Sequence, residues 1–261
     1  MKLLRRKPYL PLIWLFGILL WILFVPKSGM DLEKMLLTPL FPESPLGRDA
    51  FGRDLVGALS EAMRRSLLFS VGVTLSALTV GVSLGAGLGM LENRLRYWLE
   101  RVLDFLLAFP PILLALSLQA AIGTGWRSLA FSVSFGLFPG IVRFTAARAK
   151  EISVTDYLES ARAIGGNAFS NFWRHYRPAL LDHLRLKLPS LLAQALLLEA
   201  TLSFLNLGVP PGTVSWGSLL IQAKDYLVEA PHIAWAVGIP LVLTLLSLQY
   251  LVDEMSQKNS H

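Results

Sequence analysis

The chain has 261 residues, of which 54% are hydrophobic and only 16% charged, and its mean hydropathy is +0.54. Soluble domains carry about 25% charged residues, so this composition excludes an ordinary soluble domain and points to an integral membrane protein. The net charge of +6 is split among short loops without a contiguous basic helix, which argues against nucleic acid, and the lack of cysteine excludes disulfides, thiolate metal sites and a cysteine nucleophile.

Lys2, Arg5, Arg6 and Lys7 precede an apolar run at residues 10–25. A charged start with a short apolar core has the form of a signal peptide. The run is rich in Trp and Phe, however, and Pro26-Lys27 follow in place of a small-residue cleavage site. It is expected to be an uncleaved first transmembrane helix, short against the ~20 residues a bilayer requires.

Residues 26–65 are polar, with six basic and six acidic side chains. Within them Pro45-Leu46-Gly47-Arg48-Asp49-Ala50-Phe51-Gly52-Arg53-Asp54 has the Gly and Asp content of a structured turn. Asp49 and Asp54 suit a cation, and Arg48 and Arg53 an anion. Mutual pairing of these charges is the favoured reading.

Residues 66–91 are apolar, with Ala77, Gly81, Gly85 and Gly89 at four-residue steps. That small-xxx-small pattern lets membrane helices approach closely. Gly85-Ala86-Gly87-Leu88-Gly89 lacks a following Lys-Ser/Thr, so it is no phosphate loop, and a Walker A motif is absent from the sequence. Residues 92–101 form a charged turn. A third helix is expected at 102–122, kinked at Pro110-Pro111, and a fourth at 128–147 with Pro139 inside. Arg143, near its end, suits snorkelling to the interface.

A polar island, residues 156–178, follows. Asp156 and Glu159 form a candidate capping box, and Gly165-Gly166 suit a left-handed helix end. Asn167 caps a second short helix that Pro178 ends. On that helix Phe169, Phe172, Trp173 and Tyr176 share one face, surrounded by Arg162, Arg174, His175 and Arg177. Two readings stand for this aromatic face: an amphipathic helix on its own membrane surface, or a docking knob for another protein. A fifth helix is expected at 186–208, a loop at 209–235 and a sixth helix at 233–252.

Several of these stretches resemble signatures of bacterial ABC-importer permeases. Glu159-Ser160-Ala161, Gly165 and Pro178 match the spacing of the "EAA" coupling loop, with His175 and Arg177 departing from its usual Ile and Leu. Residues 45–54 resemble the "PLGTDxxGRD" signature of dipeptide, oligopeptide and nickel permeases, with Arg48 in place of Thr. Phe109-Pro110 match an "FP" pair, and Pro139 with Arg143 match "WPxYAR", Phe138 replacing Trp. Residues 202–217 resemble "LSFLGLGxxPPxPSWG", with Asn206 for Gly, Gly212 shifting the Pro pair and Val214 for Pro.

The resemblance implies an all-α integral membrane protein of about six transmembrane helices, a type I importer permease bundle with a cytoplasmic coupling-helix loop. It further implies a heterodimer with a related permease, two cytoplasmic ABC ATPases and an extracytoplasmic solute-binding protein. No cofactor is implied, and ATP hydrolysis falls to the partners. The residues it assigns to ATPase coupling are Glu159, Ala161, Gly165 and Pro178, and the aromatic face of Phe169, Phe172, Trp173 and Tyr176 is expected to join them. The cargo is expected to be a di- or oligopeptide or a nickel complex. The chain is expected to divide into an anchor helix and extracytoplasmic loop, 1–65, and a transport domain, 66–255.

Orientation follows from charge. With six spans, the segments on the side of the N-terminus and the island hold 16 Lys and Arg, against 8 on the other side. The positive-inside rule then puts the island and both termini in the cytoplasm, and the resemblance implies the bacterial inner membrane.

Two rivals remain. A membrane-embedded enzyme would need a catalytic constellation, yet His175, His183, His232 and His261 have no metal-site spacing and neither HExxH nor Gly-x-Ser-x-Gly occurs. A non-transporting scaffold is the other. Within the fifth helix, Glu199 sits among leucines, where a carboxylate is costly. Ser203 and Asn206 follow at four and seven residues, so the three form one expected polar stripe. It either packs against a neighbouring helix or lines the translocation path, where it would favour cationic groups.

Overall fold

A computed structural model describes residues 9–26, 28–39, 44–91, 94–153, 174 and 176–258. Its helices are α1 (Tyr9–Phe24), α2 (Leu55–Met90), α3 (Arg94–Leu107), α4 (Pro111–Ile122), α5 (Trp126–Ser153), α6 (Arg177–Phe204), α7 (Trp216–Asp225) and α8 (Pro231–Lys258). Among the described residues there is no strand, only an isolated bridge between Arg48 and Asp54.

The all-helical membrane architecture agrees with the sequence, but fewer helices qualify as spans than the six expected. Three helices, α2, α5 and α8, are long and apolar enough to cross a bilayer, and a fourth span exists if α3 and α4 count as one. α1 is apolar but only 16 residues long. α6 has 28 residues, but Lys187, Gln194 and Glu199 dilute its apolar part.

The third helix differs most. A kink was expected at Pro110-Pro111; the chain instead breaks there and turns by 88°. The cause is local. A residue before proline is driven out of the α region, and Pro110 is accordingly extended, with φ −54° and ψ 139°. Pro111 then opens α4, where a missing N–H costs nothing. The expected charged turn at 92–101 is largely helical, because α3 begins at Arg94.

α2 begins at Leu55, well before the apolar run, because Asp54 caps it by accepting from the Gly57 amide at 3.3 Å. In the preceding loop the mutual pairing expected of its charges holds for Asp49 and Arg53, while Arg48 and Asp54 bond backbone groups. Arg53 Nε and NH2 each reach Asp49 Oδ2 at 2.7 Å. Asp49 Oδ1 accepts from the Phe51 and Arg53 amides at 2.9 Å. Arg48 donates to the Gly52 carbonyl at 2.8 Å. Gly52 has φ +68°, and any Cβ there would collide with the Asp31 carbonyl, so only glycine closes this turn.

The small residues of α2 do what their spacing implies. Cβ atoms at Gly81, Gly85 and Gly89 would strike Ile141, Thr145 and Ala149 of α5. α2 and α5 therefore pack backbone to backbone along this seam. Leu129, Val133, Leu198 and Leu202 fill a core between α2, α4, α5 and α6, while Leu55, Leu59, Leu196, Trp216, Ile233 and Val237 join α2 and α6 to α7 and α8.

Candidate functional site

Of the coupling residues, Glu159, Ala161, Gly165, Phe169, Phe172 and Trp173 lie outside the described residues. Tyr176 and Pro178 are described, and both correct the sequence reading. Tyr176 does not join an outward aromatic face: it is 2% exposed and packs with Ala86, Ala149, Ile152 and Leu180. The apolar surface of α2 and α5 captures it. Pro178 stands in the first turn of α6 rather than at the end of a preceding helix, a position where proline is well tolerated. Arg174 is exposed.

Glu199 lies on α6 and is fully buried. Ser203 donates its hydroxyl to Glu199 Oε1 at 3.0 Å, one turn away. Ser66 and Ser215 are its polar neighbours, while Glu199 Oε2 has no hydrogen-bond partner among the described residues. Each of these serines has its own anchor. Ser66 Oγ accepts from the Trp216 amide at 3.0 Å, and Ser215 Oγ accepts from the Ser218 amide at 3.3 Å within the capping box of α7. Ser66 of α2 thereby ties the start of α7 to α2.

The fit is tight. A Cβ at Gly217 would meet Ser203 Cβ and the Ala200 carbonyl, and one at Gly208 would meet Ser203 Oγ. Asn206 does not belong to the group. α6 ends at Phe204, and Asn206 is exposed with φ +61°. The expected stripe assumed helical spacing through residue 206; the early helix end removes its third member. Asn is among the residues that tolerate this left-handed backbone, in place of the glycine of the resembling motif.

Sequence reasoning missed Ser66 and Ser215, since nothing in spacing links residues so far apart. It also missed Gln119, which is fully buried. Gln119 Nε2 donates to the Leu207 carbonyl at 2.6 Å and the Gly123 carbonyl at 2.9 Å, holding the end of α4 to the end of α6. The available signal was its being the sole carboxamide in 102–122. Among the described residues no group of three or more His, Cys, Asp or Glu side chains is arranged to hold a metal.

Buried polar side chains thus fasten the helices of this bundle to one another. Residues 77–260 match the binding-protein-dependent transport system inner membrane components, and the chain belongs to that family. It is 32% identical over 97% of its length to 87% of a Brucella suis protein whose name assigns it to a peptide transport system. It is 31% identical over 80% of its length to 69% of a glutathione transport system permease protein of Pectobacterium atrosepticum. A di/tripeptide transport system permease protein of Pseudomonas aeruginosa is 30% identical over 80% of this chain and 69% of its own. The chain is a permease subunit of an ABC transport system of the inner membrane, a transport family rather than an enzyme family.

Proposed function

We propose that this chain is the second permease of an ATP-driven importer of short peptides. The observation that carries this reading is the identity of 30–32% with permeases named for peptide, glutathione and di/tripeptide transport, extending over 80% or more of the chain. The nickel-complex alternative rests on the sequence resemblance alone.

In this reading a related permease completes the path as a heterodimer. Two cytoplasmic ATPases hydrolyse ATP, and an extracytoplasmic binding protein delivers the solute. Both termini and residues 156–178 lie in the cytoplasm; 26–65 and 209–232 lie outside. Residues 1–65 are anchor and loop, 66–255 the transport domain, with α2 continuous across that division. Glu159, Ala161, Gly165, Phe169, Phe172 and Trp173 transmit ATPase closure to the helices, while Tyr176 and Pro178 join the island to α6. Binding energy that differs between inward- and outward-facing states drives the switch.

Glu199 and Ser203 serve this reading as a joint that holds the 209–217 segment to α2 and α6, rather than as a wall of the path. Their complete burial supports it.

The test is purification of the intact complex in mild detergent. A second permease, two ATPases and a binding protein carrying a peptide are expected to co-purify. A binding protein loaded with a non-peptide solute overturns the substrate class, and absence of any ATPase overturns the importer reading.

A further inference from the structure

The exposed faces of the long helices are not alike. On α1 they carry Phe16, Leu19 and Leu23, and on α8 Ile239, Val242 and Leu246. Such faces suit lipid. α6 differs. Exposed Lys187 and Gln194 share a face with half-buried Ser190 and Thr201 and with exposed Leu197. At about 100° per residue these five fall within a quarter turn. Glu199 projects from the opposite side.

This polar face is not self-satisfied. Elsewhere on the surface Ser76, Thr79 and Ser83 of α2 return their hydroxyls to carbonyls of their own helix at 2.7–2.8 Å, so hydrocarbon tolerates them. Gln194 has no such option. Its Nε2 donates to Ser190 Oγ at 3.2 Å, leaving the carbonyl oxygen without a partner among the described residues. The Lys187 ammonium has no carboxylate partner among the described residues and lies 5.4 Å from the centre of the Phe144 ring. A free amide and an ammonium are costly in lipid.

Both side chains border a cavity of about 230 Å³ at the α3–α4 break. Its other walls are apolar or glycine, including Phe109, Pro111, Ile141 and Phe144. Gly140 lines it too, and a Cβ there would meet nothing within 4 Å. The site thus offers one cation and one carboxamide against an otherwise greasy wall. It is smaller than the ~300–1,000 Å³ of pockets for drug-sized ligands.

We propose that this cavity is a solute subsite on the translocation path, taking a carboxylate next to an apolar side chain, as at the C-terminal residue of a short peptide. Lys187 pairs with the carboxylate, Gln194 donates to it, and the Phe109–Phe144 wall receives the side chain. An amino terminus is disfavoured beside the ammonium. The assignment rests on the peptide-importer reading and adds which end of the solute this subunit holds.

The test uses membrane vesicles holding the whole complex and the natural absence of cysteine from this chain. Ser190→Cys, Gln194→Cys and Lys187→Cys are compared with Val242→Cys on the apolar face of α8. The probes are two methanethiosulfonates of similar size, 2-aminoethyl and 2-sulfonatoethyl, and uptake is read with a pool of radiolabelled dipeptides. Cysteines at 190 and 194 are expected to be labelled on this chain and the one at 242 to stay unlabelled. Lys187→Cys is expected to lose uptake by about tenfold or more, the effect of one charge-assisted hydrogen bond. The aminoethyl reagent restores the positive charge and is expected to restore uptake; the sulfonatoethyl reagent is not. Gly140→Leu, whose Cβ meets nothing within 4 Å, is expected to block uptake while the ATPases still co-purify.

No labelling at 190 and 194 overturns the proposal in favour of packing by the partner permease. Equal uptake by Lys187→Cys before and after either reagent overturns it as well. Wild-type vesicles that import no dipeptide overturn the peptide reading instead, while the labelling pattern still decides whether this face is wet.

Discussion

Arg53 grips Asp49 through two nitrogens, each 2.7 Å from the same carboxylate oxygen. Both side chains are buried, at 6% and 0% exposure. Removing one member of a buried pair strands the other charge, at a cost of about 3–5 kcal/mol. Asp49→Ala is therefore expected to lower the thermal midpoint of the purified complex and expose residues 44–54 to protease. Asp49→Ala combined with Arg53→Met should recover part of the loss. Wild-type midpoints for the single variant would remove the structural role assigned here.

The seam between α2 and α5 makes a second, contrasting pair. A Cβ at Gly85 would come within 2.7 Å of both Thr145 Cβ and the Val142 carbonyl, whereas one at Gly87 meets nothing within 4 Å. Overpacking a tight contact costs about 1–3 kcal/mol. Gly85→Leu is expected to reduce the membrane abundance of the assembled complex and Gly87→Ala to leave it unchanged. Equal abundance of the two would show that the seam does not set helix packing.

Much of this was legible in the sequence, and the failures have physical causes. The four-residue steps of Ala77 to Gly89 announced a close helix contact because side-chain size alone decides it. Of the charges at residues 48–54, Asp49 and Arg53 pair as expected because they lie four apart, while Arg48 and Asp54 bond backbone groups instead. The proline break was underestimated: a single proline bends a helix, but Pro110 ahead of Pro111 cannot hold helical backbone at all. The stripe at Glu199 failed at Asn206 because helical spacing was carried past Phe204, where α6 ends. The Ser66 and Ser215 neighbours were invisible because they depend on tertiary packing alone.

A third prediction concerns the Glu199 joint. Ser203 donates to Glu199 Oε1, and Oε2 is buried without a hydrogen-bond partner among the described residues. Glu199→Gln keeps an acceptor for Ser203 but buries an amide N–H₂ in place of Oε2, where it stays unpaired at a cost of about 1–3 kcal/mol. Lower thermal stability is expected, with no change in preference between cationic and neutral peptides. Wild-type stability with altered preference would return Glu199 to the translocation path.

Topology is checked with single cysteines. In intact spheroplasts an impermeant thiol reagent is expected to label Val228→Cys, whose native side chain is 91% exposed, and to spare Ser170→Cys. The reverse pattern inverts the orientation.

The coupling island gives the last prediction. Trp173→Ala removes a central aromatic anchor, and Gly165→Pro breaks the expected elbow. Each is expected to separate ATP hydrolysis from uptake while the subunit still inserts. Unchanged uptake together with unchanged ATPase co-purification in both variants sinks the docking role.

The brevity of α4 has a mechanical meaning. Its 12 residues reach only about 18 Å, against a hydrocarbon core of roughly 30 Å. With α3 turned aside by 88°, a bilayer meeting this edge alone would have to pinch, at a fraction of a kcal/mol for every ångström. The bonds from Gln119 to Gly123 and Leu207 let protein rather than deformed lipid meet the exposed backbone at that shallow end. A chain lacking the Gln119 carboxamide is expected to be more sensitive to acyl-chain length than the wild type.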